Sequence, residues 1–191
     1  MILEVVKYGQ PVLRQKGARI EKLTREIKQL IDDMFETMHD RHGVGLAAQQ
    51  IGKALQLTVI DVRDVKDRPS TLELDGKPAE VDGIMPLVLI NPVIKRIGET
   101  VKASEGCLSF PEIFGEIPRP EYVEVEEALD RNFKPIKPFR AGGLLARAIQ
   151  HEVDHLNGIL FIDRMDKETK DKLRDELDKL QAATKAEMPK K

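Results

Sequence analysis

The stretch GGLLARAIQHEVDHLNG, residues 142–158, decides how this chain reads, and its centre is the pentad His151-Glu152-Val153-Asp154-His155. Gly142-Gly143 opens it, and Asn157-Gly158 closes it with residues that tolerate left-handed backbone. The segment is expected to be helical to about Leu156, with His151 and His155 one turn apart on one face. Two imidazoles so placed can grip one metal ion. Glu152 stands about 100° round the helix from His151, within reach of a water on that metal. Two nitrogen ligands and one carboxylate to shuttle protons are the minimum apparatus for metal-assisted hydrolysis.

A catalytic site of this kind keeps three protein ligands and one open position, so the third ligand sets the enzyme class. The extension x-x-G-x-x-H is excluded: Gly158 fits it, but Phe161 stands where the histidine belongs. Thermolysin-like enzymes take a downstream glutamate, and Glu168 and Glu176 are available, yet both lie in a charge-rich tail that reads as a solvated helix. Cys107, the only cysteine, is the stronger candidate. It falls in Glu105-Gly106-Cys107-Leu108-Ser109, read as a short polar loop whose glycine lets backbone approach a ligand. A metal would hold the thiol deprotonated, which gives the cysteine a reason to be there. His39 and His42 fall at the end of an earlier helix, suit its dipole and receive no metal role.

The remaining pattern frames that helix. Thr24 to Arg41 carries Ile27, Leu30, Ile31, Met34, Phe35 and Met38 on one stripe and reads as an amphipathic helix capped by Thr24. Residues 43–52 form a small-residue turn, and 55–62 and 87–97 read as strands, the second broken at Asn91-Pro92. Between them lies a polar excursion, 63–86, with hairpin signals at Asp75-Gly76 and Asp82-Gly83. Pro111, Pro118 and Pro120 punctuate the chain before further strands at 122–129 and 134–139. Asp166 to about Ala183 is a second amphipathic helix, with Leu173, Leu177 and Leu180 on one side, and 187–191 is expected to fray. Strands surround a helix without regular alternation. The fold class is therefore α+β: antiparallel or mixed sheets packed around a central metal-binding helix, with N-terminal and C-terminal helices. Residues 1–165 read as a single catalytic domain with 63–86 as a loop or flap insertion, and 166–191 as the C-terminal helix and tail of the same domain.

The bulk numbers exclude several classes. In 191 residues, 31 Lys and Arg balance 33 Asp and Glu for a net charge of −2, so no cationic field marks a nucleic-acid reader. No apolar run approaches bilayer length, and Met1 to Gly9 lacks a signal pattern. A lone thiol persists best in a reducing compartment, so the cytoplasm is expected.

Three motifs in fixed order now make the chain resemble the peptide deformylase family: Gly43-Val44-Gly45-Leu46-Ala47-Ala48-Gln49-Gln50, then Glu105 to Ser109, then Gln150 to His155. Tyr8 to Arg14 is similar to the family's N-terminal segment, and the resemblance covers about residues 1–165. It implies removal of the formyl group from the formyl-methionine of nascent polypeptides. It also implies a divalent ion on Cys107, His151 and His155, physiologically ferrous iron, with zinc, nickel or cobalt able to replace it. Glu152 would move the proton, and Gln50 with the Leu108 backbone N–H would stabilise the oxyanion. Val44, Gly45 and Gly106 would hold the peptide along its backbone, and Leu144 and Ala148 would line the methionine slot. Arg147, on the same helix face, either caps that slot or points to solvent. Gln49 stands where the family commonly has proline. The tail helix resembles one that docks on the ribosome in part of the family. With eight basic and seven acidic residues from 166 to 191, packing on the core ranks ahead of that contact. Two rivals stand beside this reading: a metallopeptidase cutting internal bonds, and an inert binding protein with a structural metal.

Overall fold

Ile31, Met34, Phe35 and Met38 are buried on one side of the first helix, α1 (Arg25–Asp40), as the stripe predicts, and the Thr24 hydroxyl accepts the Ile27 N–H at 3.2 Å. In the computed structural model, which describes residues 1–190, the second helix, α2 (Gly143–Leu156), holds the pentad. The third, α3 (Lys167–Glu187), starts where the Asp166 carboxylate accepts the Thr169 N–H at 2.9 Å. The strands are β1 (Gly45–Ala47), β2 (Leu57–Ile60), β3 (Ser70–Leu74), β4 (Lys77–Ala79), β5 (Leu87–Cys107), β6 (Phe110–Leu129) and β7 (Phe139–Gly142). They join one sheet in the order β1-β2-β5-β6-β7-β3-β4, with every pairing of these strands antiparallel.

Residues 144–156 of α2 are buried throughout, which is the signature of a helix enclosed on all sides. Leu145, Ile149 and Val153 pack against Ile60, Leu89, Val123 and Val125 of the sheet. A second cluster joins α1 to β1 and β2, and a third gathers Leu13, Phe110, Ile117, Phe161 and Leu177 beneath α3. The last turn of α2 is fastened to the N-terminal third of the chain. The Leu156 carbonyl accepts the Gly17 N–H at 2.8 Å, Gln56 Nε2 at 2.9 Å and Gln49 Nε2 at 3.4 Å.

Four expectations need correction. The second strand does not stop at Ile97: β5 continues to Cys107, so the cysteine ends a strand and is not in a loop. The prolines do not break the chain before Tyr122, because β6 runs through Pro111, Pro118 and Pro120. β7 flanks β6 only at Tyr122–Val125, so Pro118 and Pro120 lie beyond it, where a missing N–H is tolerated. The strand expected at 134–139 falls at Phe139–Gly142, after a bridge from Pro135 to Leu129. Residues 63–86 are not wholly a loop: β3 and β4 form the hairpin that the Asp75-Gly76 signal predicts, and β3 adds to β7, which the local pattern does not announce.

Candidate active site

Two elements meet at one point. β5 delivers Cys107 at its end, and α2 delivers His151 and His155, whose ring centroids are 5.0 Å apart. Cys107 Sγ lies 3.4 Å from His155 Nε2, and the donor atoms of all three residues fall within 4.8 Å of one another. Among the described residues no other trio of His, Cys, Asp or Glu converges in this way. His39 instead approaches Asp61 at 3.2 Å, and His42 lines the outer cavity. The donor set suits a metal: one sulfur and two imidazoles are ligands of divalent transition ions. Two buried atoms at the cluster, His155 Nδ1 and Glu152 Oε2, have no hydrogen-bond partner among the described residues.

Glu105 orients this centre. One of its oxygens lies 2.8 Å from His151 Nδ1, which places the proton on that nitrogen and leaves Nε2 to face the sulfur. Arg119 grips the same carboxylate through Nε at 2.6 Å and Nη2 at 3.0 Å, and Arg147 Nη1 donates to it at 2.7 Å. Burial works to raise the Glu105 carboxyl, but hydrogen bonds from His151 and Arg119 outweigh it and hold the group at about 2. Arg119 also reaches Asp154, inside the pentad, at 2.9 Å, and Arg96 and Arg164 bond that carboxylate from either side. Neither Glu105 nor Asp154 is left with an uncompensated charge, which is the condition for burying either. Burial lowers the His151 imidazole, yet Cys107 and Glu105 together lift it well above its ordinary value. Burial and the neighbouring His151 push His155 well below it.

Glu152 stands on the open side of the cluster. Burial lifts its carboxyl to about 7 against the opposing pull of His151 and Arg119. Gly45 is there to admit it, since a Cβ on Gly45 would sit 2.8 Å from Glu152 Oε1. A Cβ on Gly106 would likewise meet the Phe114 ring, at 2.6 Å. The Gln50 amide is fixed at both ends. Its oxygen accepts the Ala47 N–H at 2.9 Å, and its nitrogen points to Ser109 Oγ at 3.2 Å and Cys107 Sγ at 3.4 Å. Leu108 and Ser109 make the turn between β5 and β6.

A cavity of about 560 Å³ opens over this group. It is lined by every residue expected in the site, namely Val44, Gly45, Gln50, Gly106, Cys107, Leu108, Leu144, Ala148, His151 and Glu152, except His155, which is buried beneath. The Val44 carbonyl is already engaged by the Asp61 N–H at 2.8 Å. Arg147 does not point to solvent; it is buried and also lines the cavity. Glu105 and Asp154 were visible as motif members without an assigned role. Arg119, a lone arginine between two prolines, carried no signal in the sequence.

The family model for polypeptide deformylase matches residues 2–171. A peptide deformylase of Opitutus terrae is 48% identical over 172 residues, covering 89% of this chain and 88% of that protein. One of Methylacidiphilum infernorum is 47% identical, covering 94% of this chain and 93% of its own. Among solved structures, a peptide deformylase from Legionella pneumophila superposes with a TM-score of 0.77 at 35% identity over 99% of this chain and 100% of that one. A plant peptide deformylase gives 0.80 at 36% identity over 98% of this chain and 94% of the plant chain. The sequence match spans all three motifs and the structural match spans the whole cluster, so the chain belongs to the polypeptide deformylase family.

Proposed function

We propose that Cys107, His151 and His155 hold the metal of a hydrolase that removes the N-formyl group from formyl-methionyl nascent peptides, releasing formate. The observation that carries this reading is the meeting of one sulfur and two imidazoles, from distant parts of the chain, beside a buried glutamate. A divalent ion there supplies Lewis acidity towards a carbonyl oxygen and towards water. The same donors accept several ions; by family resemblance the physiological one is ferrous iron, with zinc, nickel or cobalt as substitutes.

The side chains divide the remaining work. Glu152, with its carboxyl near 7, takes a proton from the attacking water and delivers it to the departing amine nitrogen. As the formyl carbon becomes tetrahedral, its oxygen gains charge, and Gln50 Nε2 and the Leu108 N–H donate to it. Removing one such donor costs about 3 to 4 kcal/mol of barrier. The backbone of Val44, Gly45 and Gly106 aligns the peptide, Val44 through groups other than its engaged carbonyl. Leu144 and Ala148 give the methionine side chain an apolar wall. Residues 63–86 flank the groove through Arg68, which lines the cavity and donates to the Ser104 carbonyl at 3.1 Å. No helix is long and apolar enough to cross a membrane among the described residues. The reading places the enzyme in the cytoplasm, where a lone thiol stays reduced. Contact with the ribosome through α3 is the weaker part of it, because the apolar side of that helix already packs on Phe110, Ile113 and Ile117.

The test is formate release from a formyl-Met tripeptide, with metal content measured on the same anaerobic sample. Turnover of the formylated peptide alone, lost in Cys107→Ala together with the metal, is the expected result. A metal-loaded protein that leaves the formyl group in place, or that cuts internal bonds, would refute the assignment.

A further inference from the structure

Arg147 is a buried charged side chain on the wall of the cavity that the catalytic roles above leave unused. It lies one turn before His151, is buried, and with Leu144 and Arg68 separates the main cavity from a second of about 400 Å³. Its guanidinium is held rigidly. Nη1 donates to Glu105 at 2.7 Å and to the Ile117 carbonyl at 2.8 Å, and Nη2 donates to the Val101 carbonyl at 2.8 Å. A guanidinium carries five N–H donors, so two remain without a partner among the described residues. Nε makes no hydrogen bond among the described residues and is not among the fully buried unpaired atoms, so this donor reaches accessible space. Glu105 balances the charge, so an apolar ligand does not leave it uncompensated.

Building on the deformylase reading, we propose that Arg147 makes the methionine slot selective for a first side chain that ends in a hydrogen-bond acceptor. Formylated peptides beginning with methionine sulfoxide are the substrate class it admits. The thioether of methionine is itself a weak acceptor and packs well beside a flat, weakly hydrated cation. Its sulfoxide is a strong acceptor of the same length, which a purely apolar slot would reject because of the cost of stripping its water. A charge-assisted hydrogen bond from Arg147 offsets that cost. The reaction is unchanged: water adds to the formyl carbon, the C–N bond breaks, and formate and the free amine leave.

The experiment compares tripeptides that start with methionine, methionine sulfoxide or norleucine, the last a tip of similar size without an acceptor. In the native holoenzyme, kcat/KM for the formylated sulfoxide peptide should lie within about tenfold of that for norleucine. A larger deficit overturns the proposal without any variant being made. In Arg147→Leu the ratio of sulfoxide to norleucine should fall at least about tenfold, and an unchanged ratio overturns it. Calorimetric binding of the unformylated peptides to the holoenzyme should show the same order and does not depend on turnover. Inactivity towards formyl-Met peptides would count against the deformylase reading, whereas binding that ignores the sulfoxide would count against Arg147 alone.

Discussion

Burial lifts the Glu152 carboxyl from an ordinary 4.5 to about 7, a value that suits its proposed proton transfer and costs the metal-free protein stability. The folded state holds the proton to higher pH than the unfolded chain does. Native stability therefore falls as pH rises from 4.5 to 7, by about 3 kcal/mol in all. Glu152→Gln removes the penalty. Urea unfolding of the metal-free variant at pH 8 should show a gain of up to about 3 kcal/mol, while formate release from the metal-loaded variant drops by ~10²- to 10⁴-fold. A variant that is neither more stable nor less active would contradict this assignment. Glu105 has the opposite sign. Its carboxyl stays ionised down to about 2, so its contribution is present above 4.5 and is lost as pH falls from there through 2. Glu105→Gln leaves Arg147 buried without its anion and Arg119 with Asp154 alone. A loss of about 3 to 5 kcal/mol is expected in denaturant melts, and metal affinity should weaken by roughly 10- to 100-fold in a competition titration.

At the scale of elements, α3 works as a cover. Leu177 is 5% exposed and packs, with Leu173 and Leu180, over Phe110, Ile113 and Ile117 of β6. Leu177→Ala should cost about 2 to 5 kcal/mol, read as a lowered denaturation midpoint with an unchanged far-UV spectrum at low denaturant. If the midpoint does not move, the helix contributes little to the core it lies on. All three helices could be read from the sequence because their apolar residues recur at the helical period and their caps stand in place: Thr24 before α1, Asp166 before α3, Asn157-Gly158 after α2. The long strands were harder. Gly98 to Glu105 is polar and mostly exposed, and what holds it extended is pairing with β6, an interaction between distant segments that leaves no local pattern. The prolines of β6 misled for the same reason. Their effect depends on whether a neighbouring strand lies on that side, and local sequence does not say.

For the whole molecule, the sheet and α2 act together to bring 43–50, 105–109 and 150–155 into one centre. The motifs named the donors. The arginine network that holds them could not be found by spacing, because Arg96, Arg119, Arg147 and Arg164 come from four separate places and are united only by the two carboxylates they share. Because the proposed metal ligands come from β5 and α2, an ion that binds the native state alone stabilises the whole domain. Chelation should abolish formate release and lower the melting temperature by several degrees, and one equivalent of a divalent ion should restore both. Loss of activity with an unchanged melting curve would mean that the ion does not bridge the two elements.

The Leu156 carbonyl, with its three donors from Gly17, Gln49 and Gln56, lies one residue beyond His155. Local opening at the end of α2 must release the Gly17 amide at the same moment. That proton is thus a reporter of the helix end: its exchange with deuterated solvent proceeds only as often as that end lets go.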